Sequence, residues 1–335
     1  MNREAENLAA LGSYLINSEE LWAVAIKAER KNPWFAPQFV NEALDAIMHD
    51  MLTANKLNEW LSHYLLKKID KTIGLIFAGN IPLVGFHDFL CCYVTGCKMK
   101  IKLSSKDDEL FPFILNALIK IDPELKGRVE IVEKLKDFDA VIATGSGNTH
   151  RYFEFYFRNH PKILRKNRNS IAILTGEESP AQLDELADDI FMYFGFGCRN
   201  VSKIYVPVGY DFNVLFPHFS KYNWLYQHSK YMNNYDYNRT IMLLNNTPHL
   251  TNDFIMVTEN PSIASPISML HYEYWHDTAV LNSHLKQNSD RIQCTVSGNP
   301  NQWNSPSSVS FGQSQHPSLS DYADNIDTIS FLNDL

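Results

Sequence analysis

Residues 72–78 read TIGLIFA, and the apolar runs that follow read KMKIKL (98–103), VEIV (129–132), DAVIA (139–143) and SIAIL (170–174). Each run is short and is separated from the next by a segment long enough for a helix. Strands alternating with helices predict an α/β fold built on a doubly wound parallel sheet. Three of the runs end in turns of small or polar residues: Gly79-Asn80-Ile81-Pro82, Ser104-Ser105-Lys106 and Thr144-Gly145-Ser146-Gly147. In an open parallel sheet ligands lie beyond the carboxyl ends of the strands, so these turns are the places to expect a cofactor. The GxGxxG dinucleotide fingerprint is absent, so a nucleotide must be held in some other way.

Upstream, Leu8, Leu11 and Leu15, then Leu21, Val24 and Ala25, recur at helical spacing, with Asn17 and Glu20 placed like a helix cap between them. This helical preface is broken at Asn32-Pro33 and Ala36-Pro37. Downstream, an acidic amphipathic helix over 181–193 leads into Gly195-Phe196-Gly197-Cys198 and then a strand, KIYVP (203–207). The last third is rich in Tyr, Asn, Ser and His, and Ile326, Ile329, Phe331 and Leu332 still offer packing surface near its end.

With 335 residues, 45% hydrophobic and 20% charged, the chain has ample material for two packed domains. A formal net charge of -8 gives no electrostatic reason to bind nucleic acid or an anionic membrane, although a local basic patch could still hold phosphates. No apolar stretch approaches the roughly 20 residues needed to span a bilayer, and the first thirty residues lack the pattern of a secretory signal. Five cysteines, odd in number and sparse, argue against a disulfide framework and for a reducing cytoplasm.

Cys198 carries the strongest chemical suggestion. It follows a Gly-Phe-Gly turn and precedes Arg199; turn amides and a positive neighbour favour the thiolate, the reactive form. The plain alternative, a small buried hydrophobe, does not need flanking glycines. Cys91, Cys92 and Cys97 fall on or just after a predicted helix (85–94) full of large apolar residues, where packing explains them. They lack a downstream Cys/His pair at ligand spacing, so no metal site is expected.

Five fragments in this order, GLIFAGNIPL, TGCKMKIKLSS, ATGSGNTHRYFEF, IAILTGEES and GFGCRNVSKIYVP, with SFGQSQHPSLSDYADNIDTISFL near the end, resemble the luminescence-type bacterial acyl-CoA reductases (the LuxC family). Behind these stands the aldehyde dehydrogenase superfamily. The resemblance implies an aldehyde-dehydrogenase-like architecture: a helical preface and NADP-binding domain over 1–175, an α/β catalytic domain over 176–315, and a segment packing back on the fold over 316–335. It implies NADPH-dependent reduction of a fatty acyl thioester to an aldehyde through an acyl group carried on Cys198. The acyl donor is expected to be acyl-CoA or an acylated partner protein, and homo-oligomerisation is left open.

The resemblance gives Asn80 the role of donating its side-chain amide to the substrate oxygen, a contact that can contribute roughly 3 to 4 kcal/mol to a transition state. It gives Lys102 a place against the adenosine ribose. Three residues on, where NAD-preferring relatives have a glutamate, stands Ser105, which with Lys106 would not repel a 2′-phosphate. Thr144, Gly145 and Ser146 match a glycine-serine turn near the pyrophosphate at a helix start, and Gly79 and Thr175 complete the expected cofactor set. Each of these has an ordinary use as well: Asn80 as a turn residue, the lysines as a solvated edge, TGSG as a cap.

In the acid-forming relatives an ELGG-like segment carries the glutamate that activates water. The segment matched to it here is Ile173-Leu174-Thr175-Gly176, and isoleucine cannot take a proton. An acid-forming dehydrogenase is therefore the runner-up reading, and a catalytically silent acyl-binding scaffold the third.

Overall fold

A computed structural model describes residues 3–145, 147–305 and 307–335. The chain forms two compact units, Met1–Asn167 together with Pro317–Leu335, and Arg168–His316.

In the first unit, β1 (Thr72–Ile76), β2 (Lys98–Lys102), β3 (Val129–Ile131), β4 (Ala140–Thr144) and β5 (Lys162–Arg165) form one sheet in the order β3-β2-β1-β4-β5. Every pairing in it is parallel. The order reverses between β1 and β4, the topological switch point at which open α/β sheets place their ligands. Ile73 and Leu75 of β1 and Ile101 of β2 are fully buried, and they join a core that takes in the preface helices through Leu8, Leu11, Leu15 and Leu21. The helix Leu110–Ile121 buries Leu110, Phe111, Ile114, Leu115 and Leu118 against the same core. At roughly 1.5 to 3 kcal/mol for each large apolar side chain, such burial is the main force holding the layers together.

Two local expectations are corrected. The cap between the first two helices is Ser18, whose hydroxyl accepts the Leu21 N–H at 3.3 Å, while Asn17 turns back to donate to the Ser13 carbonyl at 2.9 Å. Asn17 thus closes the preceding helix instead of opening the next. The fifth strand of this sheet is KILR, not SIAIL. Flanked by Lys and Arg and only four residues long, it has the composition of a charged loop, and its Arg165 is buried because it pairs with Asp88.

Arg165 also explains why the chain's end belongs to this unit. Its guanidinium donates to Asp88 at 2.5 and 3.3 Å, to the Ala323 carbonyl at 2.6 Å and to Thr328 Oγ1 at 3.0 Å. Trp60 Nε1 reaches Tyr322 Oη at 2.9 Å, and Ile329 and Leu332 are fully buried. Ile326 stays 37% exposed.

The second unit is a seven-stranded sheet, β12-β11-β6-β7-β10-β9-β8. Its strands are β6 (Asn169–Ile173), β7 (Val201–Pro207), β8 (Leu250–Thr251), β9 (Met256–Glu259), β10 (Met269–Trp275), β11 (Ile292–Ser297) and β12 (Ser308–Val309). All pairings are parallel except β8 with β9. SIAIL is β6, hydrogen-bonded between β7 and β11. That pairing puts the division of the chain at 167/168, ahead of the boundary expected after 175. Among the described residues no helix is long and apolar enough to cross a membrane.

Candidate active site

The first unit gathers most of the expected cofactor residues at the carboxyl ends of three neighbouring strands. Gly79 and Asn80 follow β1, Lys102 ends β2 with Ser105 just beyond, and Thr144 and Gly145 end β4. Asn80, Lys102 and Ser105 are exposed, Thr144 and Gly145 half-buried. Ser146 lies outside the described residues. Gly79 has to be glycine: a Cβ there would stand 2.5 Å from Ser104 Oγ and 2.8 Å from Ser104 Cβ, so the β1 and β2 turns pack backbone against side chain. Gly145 is equally confined, since a Cβ would meet Phe153 Cε2 at 2.9 Å and Thr149 Cγ2 at 3.0 Å, where the helix Gly147–Tyr156 begins.

The turn after β2 is internally braced. Asp107 N–H donates to the Ser104 carbonyl at 3.0 Å and Lys106 N–H to Ser104 Oγ at 3.2 Å. Exposed lysines, a serine in place of a carboxylate and a helix start beside β4 form a donor set suited to phosphates. Asp108 and Glu109, the acids nearest this turn on the surface, are drawn aside by Lys31 at 2.6 and 3.5 Å and by Lys27 at 2.7 Å from Glu109.

In the second unit, the helix Pro180–Phe191 leads to Cys198. Its start is fixed by a capping box between Ser179 and Gln182, and its end by three successive left-handed residues, Tyr193 (φ 52°), Phe194 (φ 57°) and Gly195 (φ 79°). Two of the three are not glycine, and each such residue costs roughly 1 to 2 kcal/mol in this conformation. The surroundings must hold the turn, and Asn200 does much of this. Its Oδ1 accepts the Gly197 N–H at 2.8 Å, and its Nδ2 donates to the carbonyls of Met192 (2.7 Å), Asp189 (3.3 Å) and Ile190 (3.4 Å). On the other side Ser170 Oγ donates to the Cys198 carbonyl at 3.1 Å and lies 3.0 Å from Cys294 Sγ.

Cys198 is the one cysteine of the five that is not buried. Burial pushes the Cys91 and Cys92 thiols far up, and the Cys294 thiol up to about 11, with the positive charge of Arg199 and the Ser170 hydrogen bond opposing the last shift. Those sulfurs are packing atoms. The Cys198 sulfur stands in a partly exposed, braced turn, which is what a nucleophile requires.

Asp189 lies beneath this turn. Its two oxygens accept the backbone N–H groups of Gly312 (2.8 Å) and Ser314 (3.0 Å), tying the SFGQSQ loop to the end of the helix, and burial raises its carboxyl to about 6. In the sequence Asp188 and Asp189 are simply two of the acids of the amphipathic helix expected over 181–193. Acids at a helix carboxyl end are electrostatically misplaced, and that was the available hint of a separate task.

Thr175 is not brought to Cys198. In the parallel register Ser170 pairs with Val201 and Ile173 with Tyr205. Cys198 precedes β7 and Thr175 follows β6, so they sit at opposite ends of the sheet, about 16 Å apart for five residues of strand. There Glu178 accepts the Thr175 N–H at 2.6 Å, the Thr175 hydroxyl at 2.9 Å and the Gly176 N–H at 3.1 Å. Residues 173–176, matched above to the ELGG-like segment, therefore lie at the far end of these strands from Cys198. The stretch of β6 that does approach Cys198 is Ser170, at its other end.

A sequence profile of the acyl-CoA reductases (LuxC) matches residues 34–213, more than half of the chain. The chain belongs to the acyl-CoA reductase (LuxC) family. The long-chain acyl-protein thioester reductase of Aliivibrio fischeri, a relative of this LuxC-family chain, is 24% identical over 232 residues, 61% of this chain and 46% of that protein. The match thus spans less than half of that relative. Among solved structures, aldehyde dehydrogenase 21 of Physcomitrella patens, crystallised with succinate, superposes with a TM-score of 0.71 at 13% identity, covering 99% of this chain and 84% of that one. Indole-3-acetaldehyde dehydrogenase AldA of P. syringae, crystallised with NAD+, gives a TM-score of 0.66 at 12% identity over 92% of this chain and 75% of that one. The LuxC-family chain therefore has the aldehyde dehydrogenase fold.

Proposed function

We propose that this protein reduces a fatty acyl thioester to an aldehyde, using NADPH and carrying the acyl group on Cys198. The observation that carries the reading is the Cys198 turn: a single accessible thiol, on a strained turn braced by Asn200 and Ser170, in a chain of the acyl-CoA reductase family.

The Cys198 thiolate attacks the thioester carbonyl, and the thiol of CoA or of an acylated partner protein leaves, giving an acyl-Cys198 thioester. The family resemblance gives Asn80 the role of a donor to the oxygen that turns negative during attack and reduction. The turns beyond β1, β2 and β4 suit the cofactor: Lys102, Ser105 and Lys106 are exposed there without a carboxylate at 105, and Thr144 and Gly145 adjoin a helix start. When bound, NADPH supplies the hydride that converts the thioester to the aldehyde level. Release of the aldehyde returns Cys198 as thiolate.

The test is product analysis. Acyl-CoAs of graded chain length with NADPH should yield aldehyde and free CoA in equal amounts, more slowly with NADH, and the Cys198→Ala variant should yield neither. Steady conversion of aldehyde and NAD(P)+ to free acid without CoA would overturn the reductive reading in favour of an acid-forming dehydrogenase. Saturable NADPH binding with no turnover at any chain length would overturn it in favour of a silent acyl-binding scaffold.

A further inference from the structure

In the first unit the Asp107 side chain joins the turn that bears Asn80 to the turn that bears Ser105. Asp107 is 7% exposed, and its Oδ2 accepts the Leu83 N–H at 2.7 Å. Leu83 is itself left-handed, with φ 56°. A bulky residue adopts that conformation only where something holds it, and the hydrogen bond to Asp107 does so. Three residues before Leu83 is Asn80; between them, Ile81 and Pro82 allow little slack. On the other side Asp107 closes its own turn through Ser104, and Ser104 is the residue against which Gly79 packs. The second oxygen, Oδ1, is buried without a protein partner. A buried carboxylate left half-satisfied is expensive, and a serine or threonine would serve a purely local turn.

We propose that Asp107 is a positioning residue that locks the Asn80 turn to the Ser104–Ser105–Lys106 turn, so that ordering the cofactor loop and aiming the oxyanion donor are one event. This rests on the reading of Asn80 as that donor. The carboxylate is the stronger acceptor for the Leu83 N–H, so the lock tightens as Asp107 ionises. Burial, the largest cause, and the neighbouring Asp108 raise its carboxyl to about 7, with the Leu83 N–H opposing. The other charges around it are partnered or outward: Asp108 and Glu109 bond Lys31, Glu109 also bonds Lys27, Lys106 is exposed, and Asn32 Nδ2 donates to the Lys106 carbonyl at 3.2 Å.

The experiment is a double-mutant cycle on the full chain, with kcat, acyl-CoA KM and NADPH affinity by fluorescence titration. Asn80→Ala should lower kcat at least tenfold with little change in KM. Asp107→Ala should lower kcat comparably and weaken NADPH binding, and the double variant should be no slower than Asn80→Ala alone. Asp107→Asn, which keeps an oxygen acceptor, should recover most of the kcat while losing a rise in kcat through pH 7 that the wild type shows. Losses that multiply in the double variant, or an unchanged pH profile in Asp107→Asn, overturn the positioning role even if Asp107→Ala fails to fold. Wild-type kcat in Asn80→Ala overturns the oxyanion reading and the proposal with it; a slow Asn80→Ala beside an unaffected Asp107→Ala overturns the proposal alone.

Discussion

Replacing Asn200 by alanine should loosen the Cys198 turn more than any other single change outside the sulfur itself. The side chain is 1% exposed and makes two short hydrogen bonds, from Gly197 N–H at 2.8 Å and to the Met192 carbonyl at 2.7 Å, with two longer ones to Asp189 and Ile190. Each short bond contributes about 1 kcal/mol net, and stranding a buried backbone group adds 1 or more, so the loss of stability should be about 3 kcal/mol. The left-handed Tyr193 and Phe194 would then relax, since the bonds that offset their strain are gone. Urea unfolding followed by tryptophan fluorescence reads the stability, and the rate of acyl transfer from acyl-CoA to the protein reads the turn. The expected result is a lower midpoint at unchanged slope together with acyl loading slowed at least tenfold. A stability change under about 0.5 kcal/mol with loading at the wild-type rate would refute the claim that Asn200 holds the turn.

Three further outcomes follow from the same geometry. Under native conditions a thiol reagent such as DTNB should titrate one fast-reacting cysteine and leave four slow, and the fast one should vanish in Cys198→Ala, because the other four are buried. Gly79→Ala should weaken NADPH binding at least tenfold and lower stability by about 1 to 3 kcal/mol, because the new Cβ cannot share space with Ser104; calorimetric titration and thermal melts measure both. Asp189 binds a proton more tightly folded than unfolded, so the native state loses stability as pH rises from about 4 to about 6, by about 3 kcal/mol for a shift from 3.8 to about 6. The stability difference between Asp189→Asn and wild type should therefore move by about 2 to 3 kcal/mol in favour of the variant between pH 4 and pH 8 in denaturant titrations, and a pH-independent difference would refute the buried-carboxylate reading.

Much of this arrangement was legible in the chain. The runs at β1, β2 and β4 are short, apolar and followed by small-residue turns, and the parallel pairing brings those turns to one end of the sheet. Cys198 stood out because glycines flank it, and the structure gives it the exposure those glycines suggested. What was hidden depends on tertiary partners. β5 is invisible because its buried Arg165 looks like surface charge until Asp88 and the 323–328 segment are seen around it. The separation of residues 173–176 from Cys198 was not legible because order along the chain does not say which end of a strand faces the nucleophile; only the register of β6 on β7 does. Asn200 and Asp189 are ordinary polar residues in sequence, and they acquire their tasks from carbonyls and amides contributed by other segments.

The central claim is that Cys198 carries the acyl group, and the most direct test is intact-protein mass spectrometry after mixing with a long-chain acyl-CoA in the absence of NADPH. The account predicts one added acyl mass, mapped by peptide analysis to the segment containing Cys198 and discharged on adding NADPH. No adduct, or an adduct on another residue that NADPH discharges equally well in Cys198→Ala, would contradict it.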